Sequence, residues 1–215
     1  MANVVQACVA DGASRTFYET VAGVTSSLYE PNPQTARDLF EVGSEMEIKS
    51  VTELRTVRLD DVAAASGTHF LKLDVQAAER DVLANASQTL HTALAVHTEM
   101  EFYPLYNSQP LGWEVWKELD NAGFDLYWFQ HLQRYRMKST YSTGDRRARR
   151  LGWGDAVFFP KPERLFEFST ADSLRLCAIW HDVCRAPRSL RMVGPVGDRL
   201  GEDDGSGWWF GAGET

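Results

Sequence analysis

Residues 69–79 read HFLKLDVQAAE, and the way this stretch divides decides the fold. Residues 69–75 make a compact apolar strand that closes on polar Asp74. Residues 79–90 then place Val82, Leu83, Ala86 and Leu90 on one helical face. Residues 93–102 repeat the apolar strand, and residues 110–122 the helix, stopped by Gly123, a residue suited to the left-handed turn after a helix. Strand, helix, strand, helix predicts a parallel sheet.

Downstream, residues 124–135 and 155–159 read as two consecutive strands, which predicts an antiparallel edge. The loop between them carries Arg146, Arg147, Arg149 and Arg150. Such a run could hold an anionic substrate, although a charge run is ordinarily a solvated turn. A helix over 170–184 follows. From residue 185 all periodicity is lost, and the chain runs through GSGWWFG at 205–211. The organisation expected is therefore a domain over 1–184 and an irregular, poorly ordered tail over 185–215, for which an out-of-frame extension is one origin. Upstream, residues 4–9 and 16–21 are short β-rich runs around the turn-forming residues 11–14, which predicts a hairpin. A short helix over 34–40 and a strand near 48–59 complete the pass.

The 215 residues, 44% hydrophobic and 24% charged, suit one globular domain with a real core. A formal net charge of -8 disfavours a surface that tracks nucleic-acid phosphates. Residues 1–10 lack a basic leader, and no apolar run reaches the roughly 20 residues of a membrane span. A cytoplasmic protein that does not meet membranes is expected. Three cysteines, an odd number, read as reduced thiols.

In doubly wound sheets, ligands sit outside the carboxyl ends of the strands. Two places qualify. Asp74 closes one strand and Glu79 opens the next helix, where a carboxylate suits the helix dipole. In the second strand His97, Glu99 and Glu101 share one face by the period-two rule. A solvated sheet face would explain that alternation. However, a strand flanked by crossover helices should be buried, and buried carboxylates need a partner or a function. Residues 103–110, YPLYNSQP, form an aromatic and amide-rich loop at the mouth of the same crevice, able to shape an acceptor pocket or simply to pack on the sheet. Cys177, His181 and Cys184 share one helix face, and thiolates with imidazole are zinc ligands. A fourth ligand and a paired CxxC are missing, so a core-facing stripe and no metal are expected. No GxSxG nucleophile motif occurs.

Taken in order, FLKLDVQAAE at 70–79, VL at 82–83, HTEMEFYPLY at 97–106 and QPL at 109–111 resemble the FkbM family of methyltransferases. SSLYEPN at 26–32, TVRLDD at 56–61 and GF at 123–124 fit the same pattern, so the resemblance covers roughly residues 3–183. It implies a Rossmann-like class I methyltransferase sheet with antiparallel C-terminal strands, S-adenosylmethionine as cofactor, and a hydroxyl acceptor on a sugar or small natural product. By position it implies that Asp74 and Gln76 lie near the cofactor. Glu79, Glu99, Glu101 and His97 are the candidate catalytic groups on the acceptor side, one of them the base, with Tyr106 and Gln109 as substrate-orienting groups.

Three departures from the family pattern stand out. Ala77 replaces a glycine in the turn after the strand, which predicts a strained or shifted loop. Gly112 replaces an aromatic. The family's opening strand, glycine-rich turn and ribose-binding acid have no counterpart ahead of Val4. Glu30, beside Pro31, is similar to that acid and is the one cofactor-binding candidate upstream, but the residues before it hold no GxGxG turn. The expectation is an incomplete sheet lacking about three strands, a truncated copy of doubtful activity. The rival reading is a non-catalytic remnant, or a partner- or sugar-binding module, whose open sheet edge is covered by another chain or by self-association.

Overall fold

The computed structural model describes residues 4–39, 42–138 and 149–184. They fall into two compact units, residues 1–159 and 160–215, which are described separately.

In the first unit the strand-helix-strand reading of residues 69–102 holds. Strand β3 (Phe70–Leu73) runs parallel to β4 (Ala95–Glu101), pairing Phe70 with Ala95 and Leu73 with Thr98. The helix predicted over 79–90 is two short ones, α2 (Glu79–Leu83) and α3 (Ser87–Thr92). The break has a local cause. Asn85 turns its Nδ2 back to the Asp81 carbonyl at 2.9 Å, competing with the helical ladder. The amides freed at the restart are taken up by Asp60, which accepts from the N–H groups of Gln88 and Thr89, both at 2.9 Å. Val82, Leu83, Ala86 and Leu90 are all buried, so their shared face survives the break.

Helix α4 (Gly112–Asn121) follows the second strand. Glu114 reaches back to accept from the Leu111 N–H at 2.9 Å, and Gly123 leaves the helix with φ +82°. Gly112 sits where a Cβ would lie 3.0 Å from the Phe102 ring and 3.1 Å from the Met100 methyl, which accounts for the lost aromatic. Strands β5 (Phe124–Tyr135) and β6 (Arg150–Pro160) complete a sheet of order β3-β4-β6-β5. Strand β6 runs antiparallel to β4, pairing Val96 with Phe158 and Glu101 with Trp153. It therefore enters the sheet between β4 and β5, so β5, not β6, forms that edge.

One face of the sheet is apolar. Leu71, Leu73, Val96, Met100, Ala156 and Phe158 pack there with Val82, Leu83, Leu90, Val115 and Leu119 of the helices. The opposite face carries Lys72, His97, Glu99 and Asp155 beside buried Glu101, Val157 and Phe159, so β4 is largely buried, as expected, with His97 and Glu99 partly exposed.

The hairpin predicted at residues 4–21 is a correction. Strand β1 (Ser14–Thr20) pairs antiparallel with the distant β2 (Ile48–Arg55), from Ser14 with Arg55 to Thr20 with Ile48. Residues 4–9 contribute only an isolated bridge, Val9 to Val57. The turn after them is tied to Thr56. Its hydroxyl donates to the Ala13 carbonyl at 2.9 Å, and its Oγ1 accepts from the Gly12 N–H at 2.9 Å. The short helix of this region is α1 (Pro33–Asp38), opened by Asn32, whose side chain accepts from the Gln34 N–H at 2.9 Å.

The second unit contains α5 (Pro162–Leu165) and α6 (Thr170–Cys184). The start of the longer helix is fixed by Ser169, whose Oγ accepts from the Asp172 N–H at 3.1 Å. Cys177 is half-buried and His181 exposed, so the predicted core-facing stripe does not hold at His181. Arg146, Arg147 and residues 185–215 lie outside the described residues, as does the side chain of Cys184. Among the described residues no helix is long and apolar enough to cross a membrane.

Candidate functional site

The carboxyl ends of β3 and β4 lie side by side because the two strands are parallel, and the acidic residues of the sequence gather there. Asp74 follows β3 directly and is exposed, 3.3 Å from the Lys72 ammonium. The chain then turns sharply through Gln76 at φ +50° and Ala77 at φ +76°, consecutive left-handed residues of which neither is glycine. That turn aims Gln76 across the sheet end. Its Nε2 donates to Asp74 Oδ1 at 3.1 Å and to Glu99 Oε2 at 3.3 Å, joining the two strands.

Glu79, at the start of α2, is 0% exposed. Its Oε1 accepts from the Val75 N–H at 2.8 Å, whereas its Oε2 is buried with no hydrogen-bond partner among the described residues. Burial pushes this carboxyl up to about 7, against the hydrogen bond from Val75 and with the help of nearby Asp74. Glu101, 3% exposed, is held well above the carboxylate range, first by burial and then by Glu79 and Glu99. Glu99 is only half-buried. Desolvation, then the charges of Glu79, Asp74 and Asp155, lift it to about 8. Burial and mutual repulsion raise all three carboxyls, and they titrate as a group.

His97 stands on the same face, two residues back along β4. Its Nε2 is 3.8 Å from Asp155 Oδ1, and burial lowers its pKa, keeping the imidazole neutral. Asp155 pairs across β6 with Glu99. Nothing in the sequence marks Asp155 as part of this face until the pairing of β4 with β6 is known.

The loop over residues 103–110 closes over the turn at Gln76. Tyr106 is buried, and its hydroxyl donates to the Thr25 carbonyl at 2.9 Å and lies 3.5 Å from Gln76 Oε1. Gln109, 8% exposed, accepts from the Tyr106 N–H at 2.6 Å, and its Nε2 is buried without a hydrogen-bond partner among the described residues. From the other side the Ser27 hydroxyl donates to the Gln76 carbonyl at 2.5 Å. Thr25 carries no signal in the sequence, and Ser27 stands in the family pattern without a role there, because their contacts cross about fifty residues or more of chain. Glu30 is exposed, and its Oε2 accepts from Asn107 Nδ2 at 3.0 Å. It thus borders the same loop, while no hydrogen bond joins it to Asp74 or Gln76.

Beside Glu101, Phe102 and Tyr103 leave β4 with both N–H groups directed to the Gly152 carbonyl, at 2.7 and 3.2 Å. Phe102, Tyr103, Pro104, Arg150 and Leu151 line a cavity of about 580 Å³ there. The arrangement as a whole combines a partly accessible carboxyl raised to about 8, two buried carboxyls that are also raised, and an aromatic pocket next along the chain. This is the equipment of proton abstraction from a bound small molecule.

Among models of protein families, the one describing the methyltransferase FkbM domain matches residues 2–126, more than half of the chain. Neither the search of curated proteins nor that of solved structures finds a match.

Proposed function

The chain belongs to the FkbM methyltransferase family, and from that premise we propose that it transfers a methyl group from S-adenosylmethionine to a hydroxyl of a sugar or small natural product. The observation that carries the reading is the carboxyl group of Glu99, tuned to about 8 and half-accessible at the carboxyl end of the parallel pair. A hydroxyl is a poor nucleophile until its proton has somewhere to go. A base that titrates near the working pH serves best.

The donor's sulfonium is a cation, and the accessible acids of the sheet end, Asp74 and Glu99, suit that charge. Asp74 and Gln76 would hold it there. The described residues include no glycine-rich strand-to-helix turn, so the fit extends to the methyl-bearing end of the donor only. When bound, the donor supplies an electrophilic methyl group. Glu99 takes the acceptor's proton at Oε1 or Oε2. Gln76, held by Ser27 and Tyr106, orients that carboxylate through its 3.3 Å hydrogen bond. Glu79 and Glu101 are buried, which leaves Glu99 as the member of the cluster that can meet the acceptor. Tyr106 and Gln109 act on the acceptor side by fixing the loop rather than by offering free hydroxyl or carbonyl groups.

Calorimetry with S-adenosylmethionine on the folded chain, followed by methyl transfer to sugar acceptors, tests the reading. Binding in the micromolar range and transfer that falls about a hundredfold in Glu99→Gln are expected, the size usual for a lost general base. A folded chain that neither binds the donor nor transfers a methyl group would overturn it.

A further inference from the structure

We propose that the cavity beside Glu101 is a subsite for an acceptor carboxylate, so that the sugar acceptor is a uronic acid whose carboxylate Arg150 holds and whose ring lies on Tyr103. This deepens the methyl-transfer reading and rests on it for the identity of the acceptor.

The sequence groups Arg150 with a basic loop, but the structure places it as the first residue of β6, its guanidinium carbon 5.3 Å from the centre of the Tyr103 ring. The pocket it shares with Phe102, Tyr103, Pro104 and Leu151 opens at the carboxyl end of β4, one residue beyond Glu101. Three features point to the ligand. The lining is apolar and aromatic apart from one cation, and no carboxylate lies among the described residues that line it. That is unusual next to a sheet end held by Asp74, Glu79, Glu99 and Glu101, in a chain of net charge -8. Other cations of this unit pair with carboxylates: Lys72 with Asp74, Arg80 with Glu118, and Arg15 with Asp81. Arg150 faces an aromatic ring instead, and among the described residues no carboxylate pairs with it.

A guanidinium resting on a ring keeps its planar fork free to take a carboxylate in two parallel hydrogen bonds. The ring itself is fixed. Tyr103 packs edge-on against buried Tyr135 at 6.3 Å, and its N–H is anchored to Gly152. A cavity of about 580 Å³ accommodates a pyranose. The lining begins at Phe102, so a sugar bound there sits at the same end of β4 that carries Glu99.

The test compares methyl glucuronide with methyl glucoside, probes that differ only in the carboxylate, by calorimetry on the full chain and separately by methyl transfer. The glucuronide is expected to bind at least tenfold more tightly, and Arg150→Gln to bring it down to the glucoside's affinity. Arg150→Lys, which keeps the charge and loses the fork, is expected to fall between. Circular dichroism checks that each variant is folded. Equal binding of both sugars, or a preference that survives Arg150→Gln, or no binding of either, overturns the subsite even if methyl transfer to another acceptor is found. An Arg150-dependent preference without any methyl transfer sustains the subsite and overturns the methyltransferase reading instead.

Discussion

Ala77 shows how one residue can be read from sequence and still conceal its consequence. The resemblance puts a glycine there, and the structure gives Ala77 φ +76°, where a Cβ is strained. Its neighbour Gln76 shares the conformation, and Gln76 is the side chain that connects Asp74 with Glu99. Strain here therefore serves the site: it turns an amide across the strand ends. Ala77→Gly should stabilise the fold by about 1 kcal/mol, since glycine adopts this φ without the Cβ clash. Urea denaturation measures it, and lower stability would show that the buried methyl matters more than the strain. The alternation of His97, Glu99 and Glu101 was legible because period two is a local property of a strand. Their titration was not, since it is set first by burial and then by neighbours such as Asp74 and Asp155, which the strand pairing brings to this face. Below pH 7 Glu99 should be largely protonated and unable to accept a hydroxyl proton, so kcat/KM should rise with pH and level off above about 8. A flat profile from pH 6 to 9 would remove Glu99 from the role of base.

At the scale of elements, what the sequence revealed and what it hid divide by distance along the chain. Strand β5 runs Phe124–Tyr135 and α6 runs Thr170–Cys184, as hydrophobic period and end signals indicated. Pairing was another matter. Residues 4–9 and 16–21 look like a hairpin because a turn cluster separates them, yet Thr56 captures that turn and β2 captures β1. The position of β6 inside the sheet was likewise hidden, although Gly152 and Gly154 leave a trace of it. A Cβ on Gly154 would lie 2.6 Å from Leu132 Cδ2 and 2.9 Å from the His131 carbonyl, and one on Gly152 would lie 2.6 Å from the Tyr135 ring. These two glycines let β6 sit against β5. Gly154→Ala meets backbone that cannot swing aside, and should cost about 2 kcal/mol of stability. A loss below about 0.5 kcal/mol in the same denaturation assay, the scatter of ordinary surface changes, would mean that the two strands separate easily.

For the molecule as a whole, the carboxyl cluster makes an unusual prediction about pH and stability. A carboxyl raised in the folded state binds its proton more tightly there than in the unfolded chain. Between the unfolded value of 4.5 and the folded values of about 7 for Glu79 and about 8 for Glu99, the folded state therefore holds more protons, and stability falls as pH rises. Other acids act at the opposite end of the scale. Burial opposes ionisation of Asp60, but the N–H groups of Gln88 and Thr89 outweigh it. Asp11 is likewise lowered against burial, by Ala13, Thr56 and Arg15. Those two add stability that is lost only as pH falls below about 4. The two trends place maximal stability near pH 5, with a decline toward pH 9. Self-repulsion in a chain of net charge -8 would produce a decline of the same sign. Salt separates the causes: 0.5 M sodium chloride screens exposed charges but reaches a buried cluster poorly. Thermal melts from pH 5 to 9 should keep most of their slope in high salt. Glu99→Gln should flatten it, recovering about 3 kcal/mol at pH 9, because the glutamine has no proton to lose. If salt removes the slope, or if the variant melts in parallel with the wild type, the decline belongs to surface charge and Glu99 is not raised.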